Sequence, residues 1–363
     1  MKLIEEILAT ANVKTALERV VSNKGAAGID GVKVEELRDY MSANWLVIRL
    51  SILDRTYNPA PVRRVEIPKS NGGVRKLGIP TVIDRTLQQA IVQVLSPIFE
   101  KEFQENSYGF RPGRSCEQAI LKLTEYLNEG YEWIVDIDLE KFFDNVPQDK
   151  LMSYVGRVIH TPDTESLIRK YLKSGVMENG IYSATGLGTP QGGNLSPLLS
   201  NVMLNELAKE LVKRGLRYVR YADDCVIAVG SSASANRVMR TITEWIERKL
   251  GLKVNATKTH VCRPNKLKFG LKGKMEMTDE HLRTMLRKVI WKQWKTPQKR
   301  AWGLRKLGVF DDFAKLTSYC GDRYEWVVRR TCVARAISKD ILTRRGLVSC
   351  LDYYQIRHAL KTN

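Results

Sequence analysis

The sequence predicts an α+β fold: a mixed body built on an antiparallel sheet that carries clustered carboxylates, followed by a basic, all-helical C-terminal region. Three observations predict it. Short apolar runs of strand length are interspersed with helical spacing through residue 262. Two of those runs, Leu216–Tyr221 and Cys225–Val229, are separated only by Ala222-Asp223-Asp224, a spacing that makes them an antiparallel hairpin. From Asp279 onward the pattern is helical and the charge balance changes. Residues 1–262 hold 35 basic and 31 acidic side chains, whereas residues 263–363 hold 24 and 9.

The elements follow in order. Residues 2–22 and 33–52 space Leu, Ile and Val as helices do, and the Gly-punctuated basic loop Asn23–Gly31 lies between them. Pro59-Ala60-Pro61 stops the second helix. Residues 63–68 and 74–79 read as paired strands because Asn71-Gly72, a strong hairpin turn, sits between them. Helical spacing returns over 81–103. A loop over 106–115 carries Tyr108, Phe110, Arg111 and Arg114, and 117–127 is helical again. Trp133–Asp138 is a short apolar strand ending in carboxylates. Helices are expected near 148–158 and 163–174, then a Gly-rich loop over 184–197, a long helix over 198–214, the Asp223 hairpin, and a helix over about 233–250. A turn at 251–255 leads to the strand 259–262.

Composition narrows the function. The 363 residues carry a net charge of +19, and 43% hydrophobic content with 7 Trp, 14 Tyr and 8 Phe excludes a largely disordered chain. The six cysteines form no C-x-x-C pair and have no accompanying His pair, which argues against a zinc site or a disulfide framework and for reduced thiols in the cytoplasm. The N-terminus reads as an amphipathic helix and not a signal peptide, and no apolar run approaches a membrane span. The basic tail therefore points to nucleic acid, with an anionic membrane surface as the competitor.

Asp138 ends an apolar strand, and Asp223 and Asp224 sit at a hairpin tip. Adjacent carboxylates there repel unless a cation neutralises them. Two magnesium ions held by Asp from neighbouring strands would do so, the arrangement used for in-line nucleotidyl transfer. A solvated Asp-Asp turn is the alternative.

The segments around these acids resemble one family in order along nearly the whole chain. Tyr221-Ala222-Asp223-Asp224 resembles the active-site hairpin of reverse transcriptases. Residues 135–146 (VDIDLEKFFDNV), 188–207 (GTPQGGNLSPLLSNVMLNEL), 107–115 (SYGFRPGRS), 63–80 and 251–259 (GLKVNATKT) resemble its other motifs. The loop 23–32 and the tail segments 291–295 (WKQWK) and 346–354 (GLVSCLDYY) are similar to bacterial group II intron reverse transcriptase/maturases.

The resemblance implies a right-hand polymerase. Its N-terminal extension and fingers would occupy 1–130. A palm with an inserted finger segment (about 148–185) would occupy 131–262. A linker or truncated thumb would occupy 263–278, and a basic maturase-like region 279–363. Lys266–Phe269 begins a primer-grip hairpin, but most of the family's thumb is missing before Asp279.

The resemblance also implies roles. Asp138, Asp223 and Asp224 would hold two Mg2+ ions, with Mn2+ as a substitute, and Asp136 would be a supporting acid. Phe143 would lie beneath the incoming sugar and exclude a 2′-hydroxyl, unless it is simply a core ring. Lys69 and Arg75 would clamp the triphosphate, and Gln191 would bond sugar or base. Ala222 would leave room for the primer end. Lys258 would protonate pyrophosphate, a plain turn lysine being the alternative. Lys24, Arg63, Arg111, Arg114, Lys292 and Lys295 would contact nucleic acid, while Trp291, Trp294 and Trp302 fit a helical core better than base stacking. The expected partners are group II intron RNA, an RNA template with a DNA primer, and dNTPs. The alternatives are a splicing cofactor with an inert polymerase fold, and an RNA-templated RNA polymerase.

Overall fold

The computed structural model describes residues 2–68, 74–189, 192–263, 271–320, 324–329 and 331–344, with backbone alone at 75, 271–278, 281, 324 and 325. Lys69, Gln191, the Arg75 side chain, Lys266–Phe269 and the tail segment 346–354 lie outside this description. The chain forms two compact units, Met1–Pro264 and Asn265–Asn363.

The first unit holds eight described strands: β1 (Val62–Pro68), β2 (Val74–Ile79), β3 (Trp133–Ile137), β4 (Val176–Glu178), β5 (Ile181–Ser183), β6 (Arg217–Tyr221), β7 (Asp224–Val229) and β8 (His260–Cys262). They make two four-stranded sheets, in the orders β2-β1-β4-β5 and β6-β7-β3-β8. The second sheet is antiparallel at every pairing. Its central strand β3 buries Ile134, Val135 and Ile137, so it is covered on both faces. The helix Ser196–Lys213 is buried almost all round, with Leu198, Leu199, Val202, Met203, Leu204, Leu207 and Leu211 in one core with β3 and β7. A helix apolar on every side belongs in the middle of a domain. The helix Val82–Glu100 joins that core, and its N-terminus is capped by the Thr81 hydroxyl, which accepts from the Asp84 amide.

Local chemistry explains where the elements depart from their expected bounds. The helix expected over 2–22 is two helices, Leu3–Ile7 and Thr10–Asn23, because Ala9 is extended and restarts the ladder. The β4–β5 hairpin was not expected. Its turn is Asn179-Gly180, with φ of 52° and 80°, the same Asn-Gly chemistry as Asn71-Gly72. Through β4, which runs parallel to β1, this hairpin joins the first sheet.

The 106–115 loop is built into the back of the β6–β7 hairpin. The Tyr108 amide donates to the Arg220 carbonyl and the Arg220 amide to the Asn106 carbonyl, both at 2.9 Å. Gly109 lies directly against Ala222, where a Cβ would stand 2.2 Å from the Ala222 nitrogen.

The second unit is helical where it is described, with Leu271–Gln293 as its longest helix. That helix starts inside the segment read as a linker. Trp291 is fully buried with Leu304, Val327, Val328, Val333 and Ile337, and the Arg300 guanidinium sits 5.2 Å above its ring. Trp294 packs against the same cluster, whereas Trp302 stays on the surface under Lys306.

Two outcomes follow from this packing. Gly109→Ala forces a side chain into backbone that cannot yield, so we expect a loss of about 1–3 kcal/mol, read as a lowered melting temperature. Gly186→Ala, which meets nothing within 4 Å, is the control expected to melt as the wild type does. Trp291→Ala empties the second unit's core and is expected to cost about 3–5 kcal/mol. Proteolysis of the full chain should then cut first within residues 279–344.

Candidate active site

The site is assembled by register. β3 and β7 pair with Ile137 opposite Cys225. One further step along each strand sets Asp138 opposite Asp224. On the other side of β3, Asp136 pairs with His260, but the register breaks beyond it, Leu139 bridging Val254, and Lys258 stands on the turn that follows that bridge. The Lys258 ammonium lies 3.3 Å from Asp138 Oδ2. The backbone of Asp138 is held from the same direction. Its amide donates to Thr259 Oγ1 at 3.1 Å, and its carbonyl accepts from the Asn255 amide at 2.8 Å. Asn255 Oδ1 in turn accepts from the Thr257 amide and hydroxyl, which makes the 255–259 turn self-supporting.

Asp223 stands on the two-residue turn between β6 and β7, after Ala222 with φ of 57°. A left-handed backbone at alanine costs about 1–2 kcal/mol. The restraint comes from Arg220. It is 1% exposed, and its Nη1 donates to the Ala222 carbonyl at 2.7 Å and to Asn201 Oδ1 at 3.0 Å. Its Nε donates to Ser107 Oγ at 3.2 Å. Asn201 also donates to the Gly109 carbonyl at 2.9 Å, so one helix residue braces both the loop and the arginine. A hydrogen bond from a charged donor contributes about 1.5–3 kcal/mol, enough to offset the strained alanine. Burial pushes the Arg220 guanidinium down to about 10, partly opposed by Asp223, so it remains charged at neutral pH. Burial likewise pushes the neighbouring Cys225 thiol up to about 12, which keeps it neutral beside the acids. Arg220, Asn201, Ser107 and Gly109 were not singled out from sequence. The available signal was an arginine two residues after Tyr218 in a strand, on the face where both are buried.

The turn after β3 packs against the Gly-rich loop. The Thr189 amide donates to the Phe143 carbonyl at 2.7 Å and the Gly188 amide to the Val146 carbonyl at 2.8 Å. Gly188 has φ of 85°, and a Cβ there would stand 2.7 Å from the Phe143 carbonyl oxygen. Phe143 is half-buried, its ring edge-on to the buried Phe142 at 5.2 Å. Gly192 comes so close to β2 that a Cβ would stand 2.3 Å from the Gly78 carbonyl oxygen.

Two expected contacts are corrected by burial. Arg111 was expected to touch nucleic acid, but its side chain is 3% exposed and forks onto Glu100 at 2.7 Å while donating to the Gln104 and Ser107 carbonyls. A guanidinium so enclosed is a strut for the 106–115 loop. Ala222 was expected to leave open space for a primer end, but it is 7% exposed and covered by Gly109. Arg63 is half-buried and gives its Nε and Nη2 to the Ala27 carbonyl, fastening the 23–31 loop to β1. Lys24 is exposed on that loop, and Arg114 lies 5.6 Å over the Tyr108 ring. In the second unit Lys292 and Lys295 are exposed.

Asp138 and Asp223 are half-buried and Asp224 is exposed. Among the described residues, no three His, Cys, Asp or Glu side chains close around a single point. Carboxylate oxygens, such as those of Asp138, Asp223 and Asp224, suit a hard cation such as Mg2+, which takes its remaining ligands from water and substrate phosphates.

Similarity to known proteins agrees with this geometry. The reverse transcriptase (RNA-dependent DNA polymerase) family matches residues 67–296. Protein YkfC of Escherichia coli (strain K12) is 35% identical over 285 residues, covering 68% of this chain and 75% of that protein. The group II intron-encoded protein LtrA of Lactococcus lactis subsp. cremoris is 38% identical over 213 residues, covering 56% of this chain and 34% of LtrA. The putative COX1/OXI3 intron 2 protein of Saccharomyces cerevisiae is 26% identical over 321 residues, covering 71% of this chain and 36% of that protein. The chain thus spans about a third of the length of these intron-encoded relatives. It belongs to the reverse transcriptase family, among the group II intron-encoded reverse transcriptase/maturases.

Proposed function

We propose that the chain is an RNA-directed DNA polymerase that adds dNTPs to a primer 3′-hydroxyl and also binds group II intron RNA to assist splicing and retrohoming. The observation that carries it is the meeting of Lys258 with Asp138 at 3.3 Å, with Asp224 one step beyond the last β3–β7 pair and Asp223 on the restrained turn before it. Asp138, Asp223 and Asp224 would hold two Mg2+ ions, which supply charge stabilisation to the 3′-oxygen and to the leaving pyrophosphate.

The chain's own groups do the remaining work. Lys258 lies 3.3 Å from Asp138 and would give a proton to pyrophosphate. Phe143, half-buried just after β3, would select against a 2′-hydroxyl by its bulk. Arg75, on β2, and Lys69 would reach the triphosphate, and Gln191 the sugar or base. Lys24 and Arg114 in the first unit, and Lys292 and Lys295 in the second, would meet the nucleic acid phosphates. Work on bacterial-type intron RNA would suit a cytoplasmic protein. The five described cysteines are free thiols, and no described helix is long and apolar enough to cross a membrane.

A primer-extension assay with an RNA template, a DNA primer, dNTPs and Mg2+ tests the catalytic part. Wild type should extend, and Asp223→Asn should lower the rate by at least ~100-fold. Extension undiminished in that variant would refute the role of the hairpin. Salt-sensitive binding of intron RNA with no extension by wild type would instead favour a splicing cofactor whose polymerase fold is inert. A separate expectation concerns sugar selection: Phe143→Ala should raise ribonucleotide use relative to deoxynucleotide by ~10–100-fold in competition. A wild type that already prefers ribonucleotides would point to an RNA polymerase.

A further inference from the structure

The β6–β7 turn presents two of the proposed metal-holding acids, yet nothing in its own residues favours its shape. Ala222 takes a left-handed backbone without being glycine, and the turn has no Asn or Gly to relieve it. Its restraint comes from the inner side of the hairpin. The Arg220 guanidinium reaches two residues forward and bonds the Ala222 carbonyl at 2.7 Å. That guanidinium is itself fixed by Asn201 from the Ser196–Lys213 helix and by Ser107 from the 106–115 loop. The Arg220 backbone is tied on both sides, its carbonyl to the Tyr108 amide and its amide to the Asn106 carbonyl. Gly109 packs directly against the Ala222 backbone, where a Cβ would stand 2.2 Å from the Ala222 nitrogen.

Resting on the polymerase reading of this site, we propose that Arg220 is a positioning residue. Its grip on the Ala222 carbonyl holds the turn in the left-handed form that sets Asp223 and Asp224 beside Asp138. Arg220 touches neither substrate nor reacting atoms. It acts through one peptide group, the carbonyl of the residue that precedes Asp223. A side chain that merely filled the core would stabilise the sheet without caring about the conformation of residue 222. A positioning residue would cease to matter once residue 222 adopted the left-handed form unaided.

That difference defines the test, made with the full chain. Arg220→Lys keeps the charge and loses the fork, and is compared with wild type in an Ala222 and in an Ala222→Gly background. Glycine enters the left-handed region at no steric cost. Two quantities are read: the primer-extension kcat with the KM for dNTP, and the affinity for Mn2+ measured by electron paramagnetic resonance without nucleic acid. In the Ala222 background we expect Arg220→Lys to lower kcat by ~30-fold and weaken Mn2+ binding by ~10-fold, with KM near its wild-type value. In the glycine background both losses should shrink to ~3-fold or less. Equal losses in the two backgrounds, or Mn2+ binding unchanged by Arg220→Lys, would overturn the proposal. If Arg220→Lys lacks a cooperative melting transition, Asn201→Ala takes its place, because it leaves Arg220 itself intact and removes one acceptor of its guanidinium together with the bond to the Gly109 carbonyl. The same rescue by glycine is then required at smaller amplitude. A wild-type chain that binds Mn2+ with this pattern but extends no primer would sustain Arg220's role and sink the polymerase reading.

Discussion

The first unit depends on one interaction: a charged guanidinium buried at the end of a strand, with the carbonyl of a strained alanine as one of its acceptors. Burying Arg220 is expensive: its Nη2 is buried without a hydrogen-bond partner, and the acceptors for Nε and Nη1 come from separate parts of the chain, Ser107 in a loop, Asn201 in a helix and Ala222 in the turn. The arrangement therefore couples loop, helix and hairpin. Moving any one of the three takes a hydrogen bond from a buried cation, a loss of about 1.5–3 kcal/mol. A hairpin tip is ordinarily a mobile place. Here the cost of freeing Arg220 makes it one of the most constrained points of the sheet.

The same economy governs the other acid. Asp138 is approached from two sides, by Asp224 one step beyond the β3–β7 pairs and by Lys258 from the turn before β8. An exposed ion pair of this kind contributes little to stability, about 0–1 kcal/mol. Its value is orientational. Lys258 is carried on a turn locked by Asn255, and that turn also bonds the Asp138 backbone in both directions. Carboxylate and ammonium are thus placed by the same few residues, so a shift in one shifts the other. For groups proposed to act on opposite sides of one phosphoryl transfer, that linkage preserves their relative position even when the turn breathes.

How far the sequence discloses all this depends on the range of the interaction. The helices, the paired strands around 71–72 and the β6–β7 hairpin were legible because each is written in local periodicity or a local turn residue. The acids were legible for the same reason, as charges at the ends of apolar runs. The β4–β5 hairpin was equally legible, since Asn179-Gly180 is a strong turn signal, but the runs beside it are only three residues each and were passed over. Arg220 and Arg111 were not legible in role. SYGFRPGRS carries two arginines three residues apart. One is enclosed by Glu100 and two carbonyls, and the other lies over Tyr108 at the surface. Nothing local separates them, because what encloses Arg111 comes partly from a helix that precedes it by more than a turn. Ala222 was misread for a related reason. Its small size was taken as room for a primer, whereas the room is already filled by Gly109.

Charge is the last feature that the folded chain re-sorts. The first 262 residues are nearly balanced in number, but the balance is not a neutral surface. Part of the basic complement is turned inward or tied to carbonyls, as with Arg220, Arg111 and Arg63, while Asp224 is exposed and Asp138 and Asp223 are half-open. An open acidic site on a polymerase body would repel a polyanion unless cations intervene. Lys258 supplies one such cation. The proposed metal ions would supply the rest, which makes metal binding a precondition for primer approach as well as for chemistry. The surplus of basic residues after 262 then has a distinct task. In the proposed reading it would attract RNA from a distance, because long-range steering needs net charge whereas catalysis would need the fixed geometry proposed for Arg220.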